Sequence, residues 1–162
     1  MSKGFTLFLI LTVFFTVNAW SSMVSICVIE TGVPGEAIIY PHSELWENAF
    51  LDVFFEAGHI VTNDSTLRLD EKPTEDMLDF INLDEVISSG IDYLIIARLD
   101  FTSDLMNPSE ISFFIYKVST TEKIIEKTIQ SRQQSGLPPR TQVEEFDYMK
   151  SIARGLSLKL NN

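Results

Sequence analysis

MVSICVIETGVPGEAIIYPHSELWENAFLDVFFEAGHIVT, residues 23–62, decides the fold, because it reads as strand, turn, helix and second strand in immediate succession. Residues 23–30 are short, β-rich and apolar on both faces, the pattern of an interior strand in a parallel or mixed sheet. Gly32-Val33-Pro34-Gly35 follows as a turn, with Pro34 presetting φ and Gly35 accepting a positive one. Residues 37–40 read as a brief extended piece. Ser43 is placed to cap a helix, and Glu44 and Glu47 suit the positive end of its dipole. Along that helix Glu44, Asn48, Asp52 and Glu56 recur every fourth residue as one narrow solvent stripe. Leu45, Trp46, Phe50, Leu51, Val53, Phe54 and Phe55 fill the rest, so most of its circumference is predicted to pack on a sheet. Gly58 ends it in a left-handed cap, and His59-Ile60-Val61-Thr62 is the next strand.

Downstream of this β-α-β unit, residues 63–72 are polar and predicted as loop. Residues 73–82 suggest a short helix with Met77, Leu78, Phe80 and Ile81 inward, continuing or restarting through residues 83–89 until Gly90 closes it. Tyr93-Leu94-Ile95-Ile96-Ala97 is an unbroken apolar run, a central strand. Beyond Ala97 the pattern alternates, Arg98 and Asp100 against Leu99 and Phe101, as though the strand outruns its covering helices. After a loop at residues 102–109 comes a strand at 110–118 with Ile111, Phe113 and Ile115 on one face. A turn at residues 119–122 returns the chain antiparallel along 123–129. A polar linker at 131–140 leads to a last helix opened by the capping box Thr141-x-x-Glu144. Phe146, Met149, Ile152, Ala153, Leu156 and Leu160 make its apolar face. The fold class is α/β, a single mixed β-sheet covered by helices in the order β-α-β-α-β-β-β-α.

The residues before this domain read as a secretory signal at 1–19: Lys3, an apolar run at residues 5–17, then Val17-Asn18-Ala19. The run is shorter than the roughly 20 residues a membrane-spanning helix needs. Cleavage is expected after Ala19, or alternatively after Ser21, leaving 20–162 as a single α/β domain with no membrane span, periplasmic or secreted. The chain has 12 Lys and Arg against 23 Asp and Glu, a formal charge of −11. That excess repels nucleic acid and anionic lipid, so neither is expected as a partner. Cys27 is the only cysteine. It cannot form an intramolecular disulfide and reads as a buried core residue.

Candidate chemistry is sparse. His42 and His59 flank opposite ends of one helix, separated by roughly 20 Å, too far to share a metal. No serine sits in a G-x-S-x-G elbow, and the Gly32-x-x-Gly35 turn lacks the Gly-Lys-Ser/Thr of a P-loop. Glu144, Glu145 and Asp147 sit in the first turns of the last helix, where the dipole accounts for them. Asn63-Asp64-Ser65 is a glycosylation sequon, which matters only in a eukaryotic secretory pathway. The expectation is therefore no catalytic residue, no metal ligand and no cofactor.

Two junctions carry a family resemblance. Ser89-Gly90-Ile91-Asp92-Tyr93-Leu94-Ile95-Ile96 resembles the helix-to-strand junction of the small α/β domain shared by the TolB amino-terminal domain, the curli secretion protein CsgG and lipoproteins such as LpoB. Phe114-Ile115-Tyr116-Lys117-Val118-Ser119-Thr120-Thr121-Glu122 is similar to their hairpin, where members often carry Gly in place of Thr121. The chain departs from them at Glu30-Thr31-Gly32, without a Pro-Phe, and has no lipobox. The resemblance implies a bacterial envelope protein that binds other proteins. The expected function is an exported, non-catalytic domain acting through an envelope protein partner. A small carboxylate-based hydrolase and a periplasmic ligand-binding module using the sheet's carboxyl end are the alternatives. The expected contact surface is the hairpin at 110–129 with Leu105 and Met106 in the loop beside it. The oligomeric state is left open.

Overall fold

β1 (Met23–Thr31) is the strand on which everything else is built. It pairs in parallel with β4 (Tyr93–Asp100) along nearly its whole length. Its other side is shared by two short strands, β2 (Ile60–Asn63) beside Met23 to Ile26 and β3 (Leu67–Leu69) beside Ile29 to Thr31, both parallel to it. β5 (Glu110–Lys117) runs antiparallel to β4, and β6 (Glu122–Gln130) antiparallel to β5. The result is one mixed six-stranded sheet in the order β2-β1-β4-β5-β6, with β3 also on β1. This computed structural model describes residues 21–32, 41–101, 107–130 and 140–160. The signal segment, the Pro34-Gly35 turn, the extended piece at 37–40, Leu105, Met106 and most of the polar linker lie outside the described residues.

Two layers cover the sheet. On the front, α1 (Pro41–Glu56) and α3 (Gln142–Leu160) lie side by side over Val24, Ile26, Val28, Ile95, Ala97, Phe113 and Ile115. Trp46, Phe50, Phe54 and Phe113 form a continuous aromatic cluster there, with ring centroids 5.0 to 6.2 Å apart. On the rear, a 3₁₀ turn (Met77–Phe80) and α2 (Leu83–Ser88) pack Met77 and Val86 against Cys27, Ile29, Leu94, Ile96, Phe114 and Tyr116.

Both helix ends predicted at glycine have the same closure. Gly58 (φ 91°) donates to the Phe55 carbonyl while His59 donates to Phe54. Gly90 (φ 73°) donates to Ile87 while Ile91 donates to Val86. These paired bonds are the Schellman arrangement, which a residue without Cβ enters at least cost. The capping box also forms: Thr141 Oγ1 accepts from the Glu144 amide at 3.3 Å, and the Glu144 carboxylate accepts from the Thr141 amide at 2.8 Å.

Four expectations need correction. Residues 63–72 are not all loop, since Leu67–Leu69 pairs with β1 and tucks Leu67 and Leu69 into the rear core. Three residues are too few for alternation to be visible in sequence. The short helix expected at residues 73–82 is instead a 3₁₀ turn, Met77–Phe80, and a separate six-residue helix restarts at Leu83. Ile81 (φ −108°, ψ 140°) is extended and separates them. Ser43 does not cap α1, which begins at Pro41, because its hydroxyl is turned inward to a buried carboxylate. Phe55 is 71% exposed, so the solvent face of α1 is wider than one stripe.

Candidate functional site

The carboxyl ends of the parallel strands gather charge on both faces of the sheet. Glu30 continues the front row of Val24, Ile26 and Val28 and is wholly buried. A carboxylate there needs partners. Ser43 Oγ, from the first turn of α1, donates to Oε1 at 2.6 Å. Arg68 Nε, directly opposite Glu30 in the register, donates to Oε2 at 2.7 Å. With Ser43 only 1% exposed, its hydroxyl is a tether between β1 and α1 and is out of a substrate's reach. Beside it, Glu44, Glu47, Thr66, Leu67 and Arg68 line a cleft of about 520 Å³.

On the rear face the alternation past Ala97 becomes two polar rungs across three strands. Arg98, Ser112 and Thr128 are one rung, and Asp100, Glu110 and Gln130 are the next. Arg98 Nη2 donates to Ser112 Oγ at 3.1 Å and to Glu110 Oε1 at 3.4 Å, and Ser112 and Thr128 hydroxyls lie 2.9 Å apart. Lys72 Nζ donates to Glu110 Oε1 at 2.6 Å and stands 3.8 Å from Asp100 Oδ2. The Lys72 hydrogen bond, aided by the Lys72 and Arg98 charges, holds the Glu110 carboxyl below the usual carboxylate range. The ionised Glu110 carboxylate thereby braces β5 against β4 and the segment carrying Lys72.

The edge strand β6 adjoins these rungs. β5 lies on one side of it, and among the described residues no strand lies on the other. Ile125, Lys127 and Ile129 are half-buried, while Glu122, Lys123, Ile124, Glu126, Thr128 and Gln130 are exposed. The register shifts near Ile115 and Tyr116, which pair with Ile125 and Lys123, so Ile124 is the extra residue of a bulge. At the hairpin tip Thr121 takes φ 53°, a conformation that glycine enters freely and a β-branched residue at a cost of roughly 1–2 kcal/mol. This is the position where the resembling group often carries glycine.

The remaining singled-out residues are placed apart. His42 Nε2 lies 3.1 Å from Asn107 Oδ1, tying the start of α1 to the segment before β5. His59, at the other end of α1, is 7% exposed against the Phe54 ring, and neither ring nitrogen has a partner. Burial lowers its pKa from the ordinary value. Among the described residues no three His, Cys, Asp or Glu side chains gather as a metal site would require. Cys27 is wholly buried in β1, and that burial, with Asp64 and Glu47 adding negative charge, pushes its thiol up to about 12. A thiol so rarely ionised is unreactive. Sequence reading missed Glu30 and Lys72. A lone acid ending an apolar strand was the available signal for Glu30, and nothing local marks Lys72.

Among the described residues no helix is long and apolar enough to cross a membrane. Solved structures similar to this chain include TolB from Acinetobacter baumannii, at 13% identity and TM-score 0.41. That match covers 85% of this chain but only 26% of TolB. The PelC dodecamer from Paraburkholderia phytofirmans matches at 13% identity and TM-score 0.39, over 86% of this chain and 84% of that one. The LpoB C-terminal domain from Salmonella enterica matches at 13% and 0.39, over 74% and 92%. The likeness to the TolB and LpoB group read from the two junctions is thus present in the structure as a weak resemblance at low identity. No curated protein matches the chain. Residues 40–154 match the profile of a protein family described as "Uncharacterised protein", and the chain belongs to that family.

Proposed function

We propose that this chain is an exported, non-catalytic protein-contact domain of a bacterial cell envelope, and that its working surface is the β5–β6 hairpin with the β6 edge. The observation that carries this reading is β6 itself, nine residues long and, among the described residues, with no strand on its outer side. An open edge presents backbone donors and acceptors to another strand, and typical strands run only about 5–6 residues. The charged clusters support the same reading, since Glu30 is held by Arg68 and the Ser43 hydroxyl and Glu110 by Lys72 and Arg98. Export rests on the signal at 1–19, and the envelope setting on the resemblance at 89–96 and 114–122.

A photo-reactive residue placed at Thr128, compared with one at Asn48 on the exposed side of α1, tests the surface. Cross-links to protein from Thr128 and few from Asn48 are expected in intact cells. Cross-links from Asn48 alone would move the working surface to the helices and end this reading.

A further inference from the structure

β6 is charge-balanced in a chain that is not. Against 23 acidic and 12 basic residues overall, this strand sets Glu122 and Glu126 beside Lys123 and Lys127. The order Glu-Lys-Ile-Ile-Glu-Lys at 122–127 is complementary to its own reverse. Laid antiparallel on a second copy, about a two-fold axis between Ile124 and Ile125, it sets Glu122 against Lys127 and Lys123 against Glu126. Residues that meet this way must share a sheet face, and in a regular strand spacings of three and five put them on opposite faces.

The bulge at Ile124 removes that obstacle. Lys123 is opposite Tyr116 and Glu126 opposite Phe114, both rear positions, and the two already meet at 2.6 Å on that face. Glu122 is opposite Lys117 and Lys127 opposite Phe113, both front positions. A two-fold axis normal to the sheet keeps front with front and rear with rear, so every opposite-charge pair is face-matched. Ile124, 39% exposed, and the half-buried Ile125 meet their mates at the axis. A one-residue slip sets Glu122 against Glu126 or Lys123 against Lys127, and an in-register parallel alignment sets every charge against its own kind. Charges and bulges ordinarily close an edge to passing strands. Here the same devices leave one partner and one register open.

From this we infer that β6 pairs antiparallel with β6 of a second copy of the chain, joining two sheets across an isologous contact. The inference rests on the reading of β6 as the working edge and names its partner.

Sedimentation of the full chain over a range of concentrations tests it. Lys123→Glu with Lys127→Glu makes the strand all acidic, and Glu122→Lys with Glu126→Lys makes it all basic. The wild type should dimerise, each variant should do so more than about tenfold less tightly, and their equimolar mixture should recover a heterodimer. These side chains lie on the outer strand, and an unchanged melting curve confirms that the fold is kept. Single reversals, Lys123→Glu mixed with Glu126→Lys, make the same comparison with half the charge change. Variants that dimerise like wild type, or a mixture no tighter than its parts, overturn the inference. A monomeric wild type that still cross-links to another protein through Thr128 also overturns it and leaves the edge reading standing. A monomer without such cross-links overturns both.

Discussion

The front layer and the β5–β6 hairpin obey local rules to different degrees. Between α1, α3 and the sheet the apolar patterns agree: apolar residues at helical spacing on Trp46, Phe50, Val53 and Phe54 meet apolar alternation on Ile111, Phe113 and Ile115. The hairpin breaks the rules twice, with a threonine at positive φ and an exposed isoleucine at a bulge. Where local and global preferences disagree, a site or a constraint beyond folding is the usual cause. The comparison teaches that the front layer supplies stability and that the hairpin spends a little of it.

The sharpest break of that contrast would come from the aromatic cluster. Phe50→Ala removes a wholly buried ring stacked 5.9 Å from Phe54. It should cost about 3–5 kcal/mol in urea unfolding. A loss below about 1 kcal/mol would mean the front layer is not the main store of stability. On the hairpin the sign should reverse. Thr121→Gly relieves the φ 53° strain and should gain about 1 kcal/mol or less, because the glycine also frees the unfolded chain. A loss there would show that the threonine's hydroxyl bond to the Thr120 carbonyl, 2.7 Å, outweighs the strain.

The smallest effect belongs to the seam where the front layer ends. His59 has a depressed pKa in the fold through burial, so the unfolded chain takes up its proton first. Stability should therefore fall as pH drops through about 6.5, the unfolded value, and level off below the folded value. His59→Phe should lack this part of the decline in thermal melts from pH 7.5 to 5. Identical pH profiles for the two proteins would mean the imidazole gains a partner on protonation.

Legibility followed how local each cause is. Gly58 and Gly90 were readable because a helix end is written within six residues, and both closed as expected. The alternation at Arg98 and Asp100 read as a strand outrunning its cover, yet both residues are buried and belong to the two polar rungs. β3 was hidden because Leu67 and Leu69 are strand only by virtue of β1, some 38 residues earlier. Ser43 looked like a cap until Glu30 claimed its hydroxyl, again a distant cause. At the candidate surface the hairpin itself was legible, while the bulge that sets its face pattern depends on pairing with β5.

That α1 and α3 are neighbours has a consequence in time. Lys150 Nζ reaches Asp52 Oδ2 at 3.3 Å across 98 residues of chain, and Ala153 and Leu156 complete the same wall. A chain delivered amino end first therefore carries α1 with one flank bare until its final turns arrive. Contacts this distant in sequence are formed late and slow the search for the native state. Until α3 docks, the aromatic wall is exposed and open to aggregation or to a chaperone. The carboxyl-terminal helix acts as a clasp, and cutting the chain before residue 142 should leave a nascent-like species rather than a smaller native domain.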